Sequence, residues 1–308
     1  MKKIVPDNLP TRFTENVLGV CGERGRRWLN DLPEIVGEIA EKWALVVENP
    51  FPNLSYNYVA PCISRADGSG AVLKIGLPEE NDSVIFGEAK FLKISDGSGA
   101  VKLLQFDADY RVLLLERLLP GENLIKLAET DDEQATAHAI RVMKKIRRPP
   151  PADGAFPALE KWVGSFLRAG KTNFDFARVK KAQKIFERLI GSSSQSLLHG
   201  DLHHQNILSA RRERFLAIDP KGIVGDIGFE ISVFLNNPRG WILTVPDRRK
   251  MLCRRVEQFA EAFAIEPGDL RDWAFAEAVL SAWWTIEDGG SDWEKWLACA
   301  AIWESKTV

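Results

Sequence analysis

Cysteine is scarce in this chain. Of 308 residues only Cys21, Cys62, Cys253 and Cys299 are cysteines, far apart and never as a Cys-x-x-Cys pair. They read as reduced packing thiols of a cytoplasmic protein. A surplus of charge is also missing: 41 Lys+Arg against 43 Asp+Glu leave a net charge of −2. That balance gives no general attraction to nucleic acid or to an anionic membrane surface. No apolar run reaches the length of a membrane-spanning helix, and Met1–Asp7 lacks the apolar core of a secretory leader. Internal repeats and low-complexity tracts are absent as well. What is present is ordinary for a globular protein, 45% hydrophobic and 27% charged residues, and the length suffices for two lobes or one large domain.

One stretch is not ordinary. Leu197-Leu198-His199-Gly200-Asp201-Leu202-His203-His204-Gln205-Asn206-Ile207-Leu208 places an apolar strand before His-x-Asp, with Asn five residues after that Asp. Thirteen residues beyond Asn206, a second apolar run ends in Asp219-Pro220. This is the order of parts in a kinase catalytic loop and its metal-binding Asp. One carboxylate must lie beside the attacking hydroxyl, while an amide oxygen and a second carboxylate face Mg2+ on the phosphates of ATP. A lone His-Gly-Asp would mean little more than a buried polar turn; four residues at the required offsets mean more. Adjacent His203 and His204 invite a zinc reading, but no further ligands stand at metal-ligand spacing.

The run His-Gly-Asp-Leu-His-His-x-Asn, followed by Ile-Asp-Pro-x-Gly-x-x-Gly, resembles the aminoglycoside phosphotransferase superfamily, and within it the streptomycin 6-phosphotransferase / hydroxyurea phosphotransferase family. Those motifs run from Leu198 to Phe229, and Leu280-Ser281-Ala282-Trp283 also fits. The resemblance implies an α+β, protein-kinase-like two-lobed fold. A small β-sheet-plus-helix N-lobe would cover residues 1–118 and a mostly α-helical C-lobe residues 119–308. It implies Asp201 as the base, Asn206 and Asp219 as Mg2+ ligands, and His199 as a loop support rather than a proton carrier. It also puts adenine-contacting backbone at Glu116 (carbonyl) and Leu118 (amide), in Glu116-Arg117-Leu118-Leu119-Pro120-Gly121.

Upstream, helical spacing of Trp28, Leu32, Ile35, Val36, Ile39 and Trp43 predicts an amphipathic helix over 25–43. Strands are expected at 44–48, 56–65, 71–75, 100–106 and 111–116, with Asp67-Gly68-Ser69-Gly70 as a hairpin turn. Lys74 matches the third-strand lysine that contacts the α/β-phosphates, and Glu88, in a helix over 83–94, is its expected partner ahead of Glu80. A Gly-x-Gly-x-x-Gly loop is lacking, so the phosphate cover is assigned to Asn53–Tyr58, with Ser55 facing the phosphates; ATP is expected, and GTP is not distinguished from it. In the second lobe, Thr130-Asp131-Asp132-Glu133 reads as a capping box, helices follow near 157–169 and 175–190, and the chain after Asp219 reads as helical to its end in blocks near 229–235, 247–264, 269–284 and 292–304.

Phe229-Glu230-Ile231 follows Asp219 within a dozen residues, which leaves no room for a protein-kinase activation segment, and Ala-Pro-Glu is missing. The acceptor is therefore expected to be a small molecule with a hydroxyl group, cationic or neutral, with no nucleic-acid or membrane partner and a monomeric or dimeric chain. Asp226 is either an acceptor ligand or a helix cap. Glu287 and Asp288, near Glu277, Asp292, Trp283, Trp284 and Trp293, are the other acceptor candidates. The expected activity is ATP-dependent phosphorylation of a streptomycin-like aminoglycoside or hydroxyurea. A kinase of a cellular sugar or amino alcohol, or a non-catalytic pseudokinase, are the alternatives. An esterase built on His199 would need a Gly-x-Ser-x-Gly elbow, which is absent.

Overall fold

The computed structural model describes residues 9–78, 83–168 and 175–304. It divides into two compact units, Met1–Gly121 and Glu122–Val308. The division falls at Gly121 rather than at Leu118. Gly121 takes φ +77, and a Cβ there would lie 2.8 Å from the Leu118 carbonyl oxygen, so the turn closes on itself before the chain leaves the first unit.

The first unit begins with α1 (Thr11–Lys42), broken at Gly22, whose φ of 52° and ψ of −127° are not helical. Phe13, Val17 and Cys21 line the buried side before the break; Trp28, Leu32, Val36 and Ile39 line it after. The helix thus starts well ahead of the predicted 25–43. Gly19 and Gly22 weaken helix propensity over the missed portion, and Gly25 at its edge is needed because a Cβ would meet Val17 O at 2.7 Å. Strands β1 (Leu45–Val47), β2 (Tyr58–Ser64) and β3 (Gly70–Ile75), helix α2 (Ser83–Ser95), and strands β4 (Leu103–Asp107) and β5 (Val112–Glu116) complete the unit. The sheet order is β1-β2-β3-β5-β4, every pairing antiparallel. The β2–β3 turn is tied by Ser69 N and Oγ, both donating to Asp67 Oδ1. The apolar faces of Tyr58, Ala60, Cys62, Leu73, Ile75 and Leu114 join the buried side of α1 in one core.

The second unit takes up β6 (Pro120–Asn123) from Glu122 onwards, then α3 (Ile125–Ala128) and α4 (Asp132–Ile146). The N-cap of α4 is Asp131, accepting from Gln134 N at 3.0 Å, one residue later than the capping box predicts; the Thr130 hydroxyl instead donates back to Leu127 O. The helix expected over 157–169 is two single turns, α5 (Leu159–Trp162) and α6 (Gly164–Leu167), parted at Val163; Ala169 lies outside the described residues. Next come α7 (Phe176–Leu189), β7 (Ser196–Leu198), β8 (Ile207–Ala210), β9 (Phe215–Ala217) and β10 (Ile223–Gly225). Strand β10 pairs antiparallel with β7, so a short strand precedes the helical blocks expected after Asp219. Helices α8 (Ile227–Leu235), α9 (Arg239–Ile242), α10 (Arg248–Phe263), α11 (Pro267–Glu287) and α12 (Trp293–Glu304) follow. Every residue of α8 is buried. Helix α11 packs on α7, α8 and α12, and edge-to-face rings of Phe166, Phe186, Trp273 and Phe229 fill the space, with centroids 5.8–6.3 Å apart.

Candidate active site

Three short segments carrying Asp201, Asn206 and Asp219 are stitched together by backbone and amide hydrogen bonds. Asn206 Nδ2 donates to Asp201 O at 2.9 Å and to Asp201 Oδ2 at 3.4 Å, and Asn206 O accepts from Ile218 N at 2.9 Å. His199 closes the frame. Its Nε2 is 2.8 Å from Ile218 O and its Nδ1 accepts from Asp201 N at 3.2 Å. Since a carbonyl can only accept, Nε2 carries the proton and the ring links the neighbours of both acids. Burial drives the pKa of His199 down to about 3, so the ring stays neutral at ordinary pH, as a brace and not a proton carrier. Gly200, with φ +85, lets the chain turn from β7 into the loop.

Asp201 has a raised pKa, caused first by burial and opposed by His203 and Lys221, while its side chain keeps 36% exposure. A partly open carboxylate with a raised pKa suits a proton acceptor. Asp219 holds φ +60, a left-handed conformation that Asp tolerates better than most residues, and Lys221 Nζ lies 3.4 Å from its Oδ2. The Asp219 carboxylate and the amide oxygen of Asn206 are hard oxygen donors. Two such ligands completed by phosphate oxygens and water match what Mg2+ takes, and the ammonium already beside Asp219 marks a position where a cation is favourable. No group of three or more His, Cys, Asp or Glu side chains is arranged to hold a metal among the described residues.

Two buried supports were not legible from the motif. Glu230 of α8 accepts from Gly200 N at 2.9 Å, directly before Asp201. Burial raises its pKa to about 8 despite the amides that face it. His204 stacks on Phe234, centroids 4.0 Å apart, and its Nε2 accepts from Arg255 Nη2 at 3.1 Å. The fully buried Arg255 also donates through Nε and Nη2 to Asp132. The paired histidines are thereby explained: His204 is anchored in the core, and His203 Nδ1 accepts from Gln205 N to cap the single 3-10 turn His204–Asn206.

In the first unit, Lys74 Nζ donates to Glu88 Oε2 at 2.6 Å, with the two side chains 7% and 1% exposed. Glu80 lies outside the described residues. Ser55 is exposed in the β1–β2 connection, and its carbonyl accepts from Asn16 Nδ2 at 3.0 Å. Glu116 ends β5, its amide donating to Lys102 O at 2.9 Å, and Leu118 beyond it is nearly buried.

Asp226 is placed differently from both readings of the sequence. It is 1% exposed, and its carboxylate accepts from Gly191 N, Ser193 N, Ser193 Oγ and Gln195 Nε2. It neither caps α8 nor reaches an acceptor, because both oxygens are committed to the turn before β7. Glu277 is buried too, bonded to Asn236 Nδ2 and Ser281 Oγ, while Trp303 Nε1 donates to Asn236 Oδ1. Asp292 pairs with Arg239 at 2.6 Å. Glu287 and Asp288 remain exposed at the carboxyl end of α11.

The Asp201–Asn206–Asp219 frame in the second unit, and separately the strand-lysine–helix-glutamate pair in the first, are the residue patterns of the protein-kinase-like class of phosphotransferases. The profile of the aminoglycoside/hydroxyurea antibiotic resistance kinase family matches residues 19–289, and the chain belongs to that family. It is 31% identical over 293 residues to a streptomycin 6-kinase of Streptomyces griseus, covering 92% of both chains. It is 30% identical to a hydroxyurea phosphotransferase of Kitasatospora aureofaciens, covering 91% of this chain and 81% of the relative. Its fold is similar to that of a thermostable mutant of an aminoglycoside phosphotransferase solved with ADP and hygromycin B, with a TM-score of 0.60 at 14% identity over 88% of this chain and 98% of that one.

Proposed function

We propose that the chain transfers the γ-phosphate of Mg-ATP to a hydroxyl of a streptomycin-like aminoglycoside or of hydroxyurea, inactivating an antibiotic in the cytoplasm. The observation that carries this reading is the hydrogen-bonded frame joining Asp201, Asn206 and Asp219, in a chain about 30% identical to kinases with those two acceptors. Asp201 orients the acceptor hydroxyl and takes its proton as the new O–P bond forms and the bond from the γ-phosphorus to the β,γ-bridging oxygen breaks, releasing ADP. Asn206 and Asp219 would hold Mg2+, which when bound would supply positive charge to offset that of the phosphates. Lys74, positioned by Glu88, serves the α/β-phosphates, Ser55 belongs to the phosphate cover, and the backbone at Glu116 and Leu118 meets the base. Glu287 and Asp288 attract a cationic acceptor. Among the described residues no helix is long and apolar enough to cross a membrane.

The test is ADP release with streptomycin, other aminoglycosides, hydroxyurea and simple polyols as acceptors, using the wild-type chain and Asp201→Asn. Turnover of streptomycin or hydroxyurea, lost by a factor of roughly 10²–10⁴ in Asp201→Asn with the fold retained, is the expected result. Undiminished turnover in Asp201→Asn would overturn the role of the base. Turnover of a sugar alone would overturn the acceptor.

A further inference from the structure

The acceptor candidates found by charge lie at the far end of α11, but the structure brings another residue type to the catalytic loop. A Cβ built on Gly200 would be 3.5 Å from Trp162 Cη2, so the indole of Trp162 flanks the residue before Asp201. Trp162 meets Trp284 edge to face, with centroids 5.8 Å apart and planes at 87°. Both rings are partly exposed.

Each indole rests on backbone fixed to the elements that carry the loop. The segment of Trp162 is bridged to β10 through Ala158 and Val224, and a Cβ on Gly225 would lie 2.9 Å from Leu159 Cβ, so α5 approaches this strand only because a glycine is there. Helix α11 is seated against α8 in the same way. A Cβ on Gly228 would lie 2.3 Å from Trp273 Nε1. The two glycines of Gly225-Asp226-Ile227-Gly228 therefore set the positions of the two tryptophan-bearing helices.

Trp284 is followed three and four residues later by Glu287 and Asp288, on the same side of the helix end. The last turn of α11 has no basic residue, and a helix carboxyl end is a pole of partial negative charge. Nearby, the chain satisfies one of its own guanidinium groups with this combination: Arg239 lies 4.3 Å from the Trp296 ring centroid and pairs with Asp292.

We propose that Trp162 and Trp284 form the platform on which the acceptor lies, and that it selects acceptors bearing a planar cation such as a guanidinium over neutral ones. This rests on the phosphotransferase reading and adds the chemical class that the loop's neighbourhood favours. A cation over an indole face is held by the ring quadrupole more strongly than a small neutral group at the same place.

The experiment compares wild type, Trp162→Leu, Trp284→Leu and Trp284→Phe. Streptomycin, which bears guanidinium groups, and neutral hydroxyurea serve as acceptors. Streptomycin affinity is read by calorimetry with a non-hydrolysable ATP analogue, alongside KM, kcat and melting temperature. The leucine variants should raise the Kd and KM for streptomycin roughly 5- to 30-fold. The KM for ATP should move less than about twofold, the KM for hydroxyurea should rise several-fold less than that for streptomycin, and Trp284→Phe should recover most of the streptomycin loss. A parallel decline for both acceptors, or an unmoved streptomycin KM in leucine variants that melt like the wild type, would overturn the platform. So would a wild-type chain that binds no cationic acceptor while phosphorylating a neutral alcohol, an outcome that leaves the phosphotransferase reading standing. Transfer that survives in Asp201→Asn would instead overturn that reading.

Discussion

Replacing Lys74 by Met removes one half of a charge pair whose side chains are 7% and 1% exposed. The Glu88 carboxylate would then be buried without its ammonium, which costs about 3–5 kcal/mol. Glu88→Leu should also destabilise, because the nearly buried ammonium loses its 2.6 Å carboxylate partner. The double variant Lys74→Met/Glu88→Leu is different, because two apolar side chains of comparable volume replace two buried charges. It should lie within about 1–2 kcal/mol of the wild type, giving a large favourable coupling in a double-mutant cycle. Activity should not follow stability. Without a cation at this strand position the phosphates lose a fixed charge, and turnover should fall by about 10²-fold or more in the folded double variant. Denaturant titration gives the stability terms, and ADP release at saturating acceptor gives the rate. A double variant that keeps turnover within tenfold of wild type would show the pair to be only structural. Single variants that cost under about 1 kcal/mol would refute the burial argument itself.

Glu230 and Glu277 have pKa values raised from 4.5 to about 8 and about 7, in both cases first by burial. The folded chain therefore holds protons that the unfolded chain releases near 4.5. Their stabilising contribution is complete below that pH and declines as pH rises towards 7 and 8. Glu230→Gln, which keeps an acceptor for Gly200 N, should flatten the fall in melting temperature over this window; an unchanged slope would refute the assignment. Asp226→Asn should lower stability by roughly 2–4 kcal/mol, since an amide cannot accept all the donors now bonded to the carboxylate, and should leave the acceptor KM unchanged. Arg255→Met should destabilise by about 2–4 kcal/mol, because Asp132 keeps only Arg254 as a partner while His204 Nε2 and Asn237 O lose their buried donor, and Arg255→Lys should not restore it, because Nε and Nη2 both bond the Asp132 carboxylate.

That Asp201, Asn206 and Asp219 come together was legible because kinase chemistry dictates offsets between unlike residue types. His199, Asp201, Asn206 and Asp219 have few alternative meanings at those spacings. The small sheet was legible for a similar reason, since β-branched runs and a glycine turn mark β2 and β3. The supports beneath the loop were not. Glu230 and Arg255 read as surface charges in a linear sequence, and their partners Gly200, Asp132 and His204 are distant in the chain; only the packing of α8 and α10 buries them. Trp162 was unreadable for the same reason, as nothing local ties a single-turn helix to Gly200. Asp226 misled because an acid before a helix suggests a cap, whereas its donors come from the turn at 191–195. The helical start at Thr11–Cys21 was masked by its glycines.

Helix α8 meets the catalytic loop through Glu230, receives α11 at Gly228, and follows directly on the residue that pins the turn before β7. A shift of this one hidden rod would disturb the chemistry, the aromatic wall and the strand entry together. Variation that retunes acceptor choice should therefore accumulate at the outer ends of α5 and α11, where side chains can change without moving that common axle.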